Sequence, residues 1–192
     1  FNRYDITGTA FWIFRNFWDV SLRSQLTPFD VHDYFELRTD GKYISLPLNY
    51  YFDANGSTDS RKKLFVRFSG IFARSPEYDN TYYGGGLGFR FRFSNRFTLD
   101  LQMDGHTETN NLGYAFTREL NGDPIVGFRD VKEQITVLSG IYNFTPRLNL
   151  TLRARHYWNK VRYISFHNVN SEGNLTDRPF ISGNDDNFNT FN

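Results

Sequence analysis

Apolar and polar residues alternate along Leu148-Asn149-Leu150-Thr151-Leu152-Arg153-Ala154-Arg155-His156-Tyr157-Trp158. Leu148, Leu150, Leu152, Ala154 and Trp158 fall on one side, and Asn149, Thr151, Arg153 and Arg155 on the other. A period of two is the strand period, because successive side chains point to opposite faces of a sheet. About eleven residues is also what one tilted strand needs to cross a bilayer. A soluble strand turns its apolar side to a core. A membrane-barrel strand turns it to lipid and its polar side to a wet lumen. The choice rests on whether the rest of the chain repeats the pattern.

It does. Residues 9–23 read as a first strand, with Trp12, Phe14, Trp18, Val20 and Leu22 on one side and Arg15, Asp19, Ser21 and Arg23 on the other. A long connection over 25–41 leads to a second strand over 42–52, in which Pro47 removes a ladder donor and predicts a local irregularity. Residues 53–60 read as a turn by composition. The third strand spans 63–74. The fourth spans 81–93, with Phe89, Phe91 and Phe93 against Gly84, Gly86, Gly88, Arg90 and Arg92. The fifth spans 97–104, with Leu99 and Leu101 against Asp100 and Asp104. A second long connection over 105–129 holds Asn121-Gly122, the strongest short hairpin signal, and predicts a β-hairpin above the sheet. In the sixth strand, 130–144, Ile135, Val137 and Ile141 share a face but Leu138 and Tyr142 oppose them, so its facing is weakly specified. The seventh is the alternating run above.

Connections near Ser94 and Pro146 are tight; those near Asp30, near Asn121 and after Phe166 are long. Short turns at one end and long loops at the other is the outer-membrane barrel arrangement. The expected fold is therefore all-β: about seven strands of an antiparallel up-and-down transmembrane barrel, not closed alone, over residues 1–192. Phe89, Phe91, Leu99, Leu101, Leu150 and Leu152 are expected to face lipid. Trp12, Trp18 and Trp158 are expected at the membrane interfaces. Arg15, Asp19, Arg23, Arg67, Arg90, Arg92, Asp100, Asp104, Arg153 and Arg155 then line the lumen. In a dry core each such charge would cost several kcal/mol unless paired. The inverse assignment, a soluble β-sandwich with the apolar side inward, also avoids that cost, but leaves the loop sorting and the aromatic content unaccounted for.

Composition sharpens this picture. Aromatic residues make up 19% of the 192 residues, with 21 Phe and 12 Tyr, yet charged residues reach 22% and mean hydropathy is −0.57. Half-polar strands with aromatic girdles combine these features. A net charge of +1 gives no field for nucleic acid. Without cysteine there is neither a disulfide framework nor a thiolate metal site. No apolar run approaches the ~18 residues of a membrane-crossing helix. Phe1 and the strand-like residues 188–192 read as interior points of a longer polypeptide.

Chemistry-bearing motifs are weak. Gly84-Gly85-Gly86-Leu87-Gly88 sits in a strand pattern with no helix after it, so it reads as bare wall rather than a phosphate loop. His32, His106, His156 and His167 lack metal-ligand spacing. Asp104-Gly105-His106 at an outer rim and a lipid-facing His156 resemble barrel-enzyme placements, but no nucleophile can be placed beside either. His156 next to Trp158 fits an interfacial belt. Gly183-Asn184-Asp185-Asp186-Asn187 lacks the spaced calcium pattern. No cofactor or metal is expected. A hairpin centred on Asn95 sets residues summing to about 190 opposite one another, which pairs Arg90 with Asp100 in a structural ladder.

Three stretches, Tyr34-Phe35-Glu36-Leu37-Arg38, Gly127-Phe128-Arg129-Asp130-Val131-Lys132 and Leu152-Arg153-Ala154-Arg155-His156-Tyr157-Trp158, resemble in order and spacing the C-terminal barrel of a family of Bacteroidota envelope proteins of unassigned function. Members carry an N-terminal β-sandwich similar to family-nine carbohydrate-binding modules. The resemblance implies a missing N-terminal domain, further barrel strands and no catalytic residues to carry over. The expected role is a non-enzymatic segment of the cell outer membrane. Such a segment anchors or forms part of an envelope assembly that handles extracellular material, glycans among the candidates. Expected partners are the lipid bilayer, remaining strands of the same barrel, and other outer-membrane or surface proteins and glycans. A transporter or channel fragment is the alternative, and a soluble binding module the third.

Overall fold

The computed structural model describes residues 3–117, 124–176, 180–181 and 188–191. Among these residues there are strands and no helix: β1 (Ile6–Ile13), β2 (Asp19–Thr27), β3 (Val31–Asp33), β4 (Ile44–Leu46), β5 (Asn49–Ser57), β6 (Leu64–Ser75), β7 (Asn80–Arg92), β8 (Phe97–Thr117), β9 (Pro124–Thr145), β10 (Leu148–Asn168), β11 (Phe180–Ile181) and β12 (Phe188–Phe191). Ten strands form one antiparallel sheet in the order β1-β2-β5-β6-β7-β8-β9-β10-β11, with β12 also on β10. β3 and β4 pair with each other alone. The long strands are thus an up-and-down meander, each beside its predecessor once the β3–β4 insertion is set aside. Among the described residues the sheet does not close on itself.

Several expected elements change. Residues 9–23 are not one strand but a hairpin, β1 and β2 joined by residues 14–18, so there are eight long strands rather than seven. Phe17 at the turn has φ 63°, and Asn16 Oδ1 accepts the Trp18 N–H at 3.2 Å. An Asn-assisted left-handed turn explains why the alternation passes through it unbroken: Trp12 pairs with Val20 and Ala10 with Leu22, so the apolar side stays in step around the corner. Arg15 and Trp18 lie in this turn rather than on a strand wall. The second strand breaks at Pro47 into β4 and β5, and β5 runs on through the presumed turn to Ser57. Residues 105–117 and 124–129 are not a long connection. They extend β8 and β9 to 21 and 22 residues. The expected hairpin pairs Tyr114 with Val126 and Thr117 with Pro124; its Asn121-Gly122 turn lies outside the described residues, as does 183–187.

Register fixes the faces. Leu22, Ala54, Gly70, Gly85, Gly105, Gln134 and Trp158 form one cross-strand row, and Leu64, Phe91, Leu99, Gly140 and Leu152 another on the same side. All six residues expected to face lipid share this apolar side: Phe89 pairs with Leu101, Phe91 with Leu99, and Leu150 with Tyr142. The sixth strand resolves in favour of Leu138 and Tyr142, while Ile135, Val137 and Ile141 join the polar side. The apolar side is uncovered: Leu150 and Leu152 are 60% and 67% exposed.

Two aromatic rows edge part of it, and across β8–β10 the loop-end row continues as Thr107, Lys132 and Lys160. At the turn end Phe91, Phe93, Phe97, Tyr142 and Phe144 follow one another with centroids 4.7–6.2 Å apart. Toward the loop end Phe52, Phe72 and Tyr83 step across three strands at 6.4 and 5.2 Å.

The hydrophobic core lies elsewhere. Leu37, Ile44 and Val126 are fully buried together, with Leu46, Leu112, Val169 and Leu175 against them. This small cap is built by the β2–β5 connection and the projecting ends of β8–β10. Glu36 Oε1 accepts the Tyr114 N–H at 2.7 Å, and the Arg38 guanidinium sits 4.8 Å from the Tyr114 ring centroid. Tyr78 O–H donates to Ser45 O at 3.1 Å, and Ser75 Oγ to Leu48 O at 2.9 Å. Burial pushes the Tyr78 hydroxyl up to about 12.

Candidate functional site on the polar face

The polar side of the sheet gathers nine of the ten residues expected to line a lumen, all but Arg15. Asp19 pairs with Ser57 and Ser57 with Arg67. Arg67 is followed across by Gly88, Gln102, Val137 and Arg155. Phe65, Arg90, Asp100, Ser139 and Arg153 form the next row toward the turns, and Arg92 and Thr98 lie beyond it. Arg23 lies in a row with Asp53, Gly84, His106, Glu133 and Asn159 on the loop side.

Arg90 Nε donates to Asp100 Oδ1 at 2.9 Å, the pairing that the Asn95-centred turn dictates. The expected ladder goes little further. Arg92 instead donates to the carbonyls of Ser60 and Lys62 at 2.6 and 3.2 Å, fastening the β5–β6 turn. Arg23 bonds Gln25 at 2.7 Å, Ser57 Oγ donates to Asp19, and Gln102 Nε2 donates to Asp104 at 2.8 Å. Among the described residues no carboxylate lies within salt-bridge distance of Arg67, Arg153 or Arg155. Arg67 sits 6.0 Å from the Phe65 ring centroid and Arg155 5.5 Å from that of Tyr157.

The glycines have a local reason. A Cβ at Gly86 would collide with the Asp104 carboxylate, and one at Gly84 with the Tyr82 ring at 2.8 Å. Bare backbone lets neighbouring polar side chains lie flat on the wall. A cavity of about 380 Å³ opens here, lined by Asp19, Asn55, Arg67, Ser69, Gly86, Gln102 and Asp104 among others.

Asp104-Gly105-His106 is not at a rim; it lies mid-strand, because β8 continues to Thr117. His106 stacks on Tyr82 at 5.1 Å, with Nδ1 3.9 Å from Glu133 Oε1. Tyr157 O–H donates to Glu133 Oε2 at 2.9 Å, and Asn159 Nδ2 to the Tyr157 oxygen at 2.8 Å. Sequence reasoning passed over Glu133, Tyr157 and Asn159. The signal was the i, i+2 spacing of Tyr157 and Asn159 beyond Arg155. His156 falls on the apolar side, two residues from Trp158. Ser165 Oγ and His167 Nε2 lie 2.9 Å apart on β10. No group of three or more His, Asp or Glu converges as a metal site among the described residues.

The whole chain, residues 1–192, matches the model of a family described as a domain of unknown function, DUF5916. The chain belongs to that family. No curated protein and no solved structure matches it. What the DUF5916 chain offers chemically is therefore read from its geometry: a wall of guanidiniums, carboxylates and tyrosines, backed by a largely apolar surface that Gln134 and Thr136 interrupt on β9.

Proposed function

We propose that this chain is a segment of an outer-membrane β-barrel. It crosses the bilayer with its long strands, presents the cap to the outside, and acts without catalysis as an anchor or wall of an envelope assembly that handles extracellular material. One observation carries the reading: an uncovered, largely apolar face runs across the eight long strands, edged by aromatics on β5–β7 toward the loop end and on β7–β9 at the turn end. Large exposed apolar patches are rare on soluble monomers. From Tyr83 to Phe93 the chain covers about 33 Å at ~3.3 Å per residue. At a tilt of about 40° that is about 25 Å of height, the height of the apolar band of outer-membrane barrels. The uneven rims support the same orientation. β9 and β10 join through residues 146–147, whereas the other end carries the 28–48 insertion and the projecting β8–β10 ends. A four-residue turn, 76–79, also lies at that end, and it joins the cap through Tyr78.

An open edge cannot rest in hydrocarbon, so the outer edges of β1 and of the β11–β12 side require further strands of the same barrel. A glycan-handling partner follows from the resemblance to envelope proteins with carbohydrate-binding-like domains. Membrane fractionation of the full-length protein tests the reading. Extraction only by detergent is expected, with strand circular dichroism retained in micelles. A protein that partitions into buffer with its strands intact restores the soluble sandwich. The transporter alternative draws on one feature, the arginines of the polar wall without a carboxylate partner among the described residues.

A further inference from the structure

Charge on the polar face is sorted along the strand axis. In the turn-side rows, Arg67, Arg90, Arg92, Arg153 and Arg155 stand against Asp19 and Asp100. In the loop-side rows, Asp53, Asp104, Glu108 and Glu133 stand against Arg23 and Arg129. Adjacent pairs do not cancel this separation, since Arg90–Asp100 is the one ion pair that the five arginines make among the described residues. Guanidiniums hold their charge at any working pH. Three of them, Arg67, Arg153 and Arg155, lack a carboxylate partner among the described residues and leave donors for a solute on a wet wall. The pattern is not what stiffening a barrel requires, because a stiffening ladder alternates signs across each row.

We infer that the turn-side half of the polar wall is a binding surface for a soluble oxyanionic solute, one bearing carboxylate, sulfate or phosphate groups. Arg153 and Arg155 project from β10, and Arg67 and Arg90 from β6 and β7. Four strand spacings of about 4.8 Å separate Arg67 from Arg155, so the arginines span about 19 Å and suit a solute with several anionic groups rather than a single ion. Forked guanidinium donors match such groups bidentately. Asp19 and Asp104, which line the cavity beside Arg67, and the other carboxylates on the loop side set the limit of the surface. The inference rests on the barrel reading, which makes this face a lumen.

The test uses the full-length protein purified in dodecyl maltoside, titrated calorimetrically with low-mass dextran sulfate and with neutral dextran of equal length. Dextran sulfate is expected to bind and neutral dextran not to, with affinity falling as salt rises. The double variant Arg153→Gln/Arg155→Gln should weaken binding at least about tenfold, while Arg153→Lys/Arg155→Lys, which keeps the charge but loses the forked donors, should weaken it less, by about threefold. Should the Gln variant lose its strand circular dichroism, Arg67→Gln, on a distant strand, carries the same expectation. Unchanged affinity in the folded Gln variants, or no binding by the detergent-inserted wild type, overturns the inference and leaves the barrel reading standing. A protein that needs no detergent overturns the barrel reading instead.

Discussion

The cap and the sheet below it use apolar residues in opposite ways. In the cap, Leu37, Ile44 and Val126 turn toward one another and are fully buried, as in any small domain in water. In the sheet, Leu99, Leu101, Leu138, Leu150 and Leu152 turn to one side and find nothing there, while the polar side holds Asp19, Arg67, Gln102 and Asp104 around a cavity. Yet the two regions share strands: β8, β9 and β10 run from one into the other without interruption. A change of surroundings partway along the same strands accounts for both. Water surrounds the cap, so its apolar groups collapse inward. On the proposed barrel reading lipid surrounds the sheet, so its apolar groups need not.

Breaking the cap should have the largest effect. Leu37→Ala removes a fully buried side chain and should cost about 2–5 kcal/mol of cap stability. Limited proteolysis should then cut within 28–48 while the sheet below stays protected. The matching lesion in the sheet is Leu152→Arg, which should cost roughly 2–4 kcal/mol in bilayers if Leu152 sits near the midplane. Chemical denaturation in lipid vesicles reads it, and a cost near zero would mean that water already bathes that face.

The polar wall should respond far less. Arg90 and Asp100 are partly exposed, so a double-mutant cycle with Arg90→Ala and Asp100→Ala should return a coupling of about 0.2–1 kcal/mol. A coupling of several kcal/mol would indicate a dry core. The gentlest test lies in the turn that joins β5 to β6. There Arg61 bonds both Asp59 oxygens at 2.9 Å and lies 3.6 Å from the Phe17 ring centroid, holding two turns together. The Arg61 bonds hold the Asp59 carboxyl well below the usual carboxylate range, at about 2. A lowered folded pKa contributes stability that is complete above the unfolded value, near 4, and is lost as pH falls toward 2. Protection of residues 58–63 in hydrogen exchange should therefore hold down to about pH 4 and fade below it.

Strand period, tight turns and the Arg90–Asp100 register were legible in the sequence because they are local: alternation fixes faces and a short turn fixes register. The β1–β2 corner was not. Its apolar side stays in step through residues 14–18, and no glycine or proline marks it; an asparagine and a left-handed Phe17 do the turning. The reach of β8 and β9 was hidden for another reason. Glycine, threonine and asparagine over 105–113 look like loop, yet cross-strand pairing holds them extended, with a bulge at Asn110, φ 52°. The cap core was invisible because Leu37 and Ile44 meet Val126 only across a long separation in sequence. On the polar wall residue identities were readable, but not their partners: Arg92 went to backbone carbonyls, a choice that alternation cannot encode.

The central claim is that neighbouring residues of β10 face different media. The chain has no cysteine, so single substitutions Leu152→Cys and Arg153→Cys report cleanly. Each is to be labelled with a fluorophore in the full-length protein, reconstituted in vesicles, and exposed in turn to a doxyl-lipid quencher and to aqueous iodide. The account predicts that lipid quenches the label at 152 and iodide the label at 153. Equal iodide quenching at both positions, or lipid quenching at 153 alone, would contradict it.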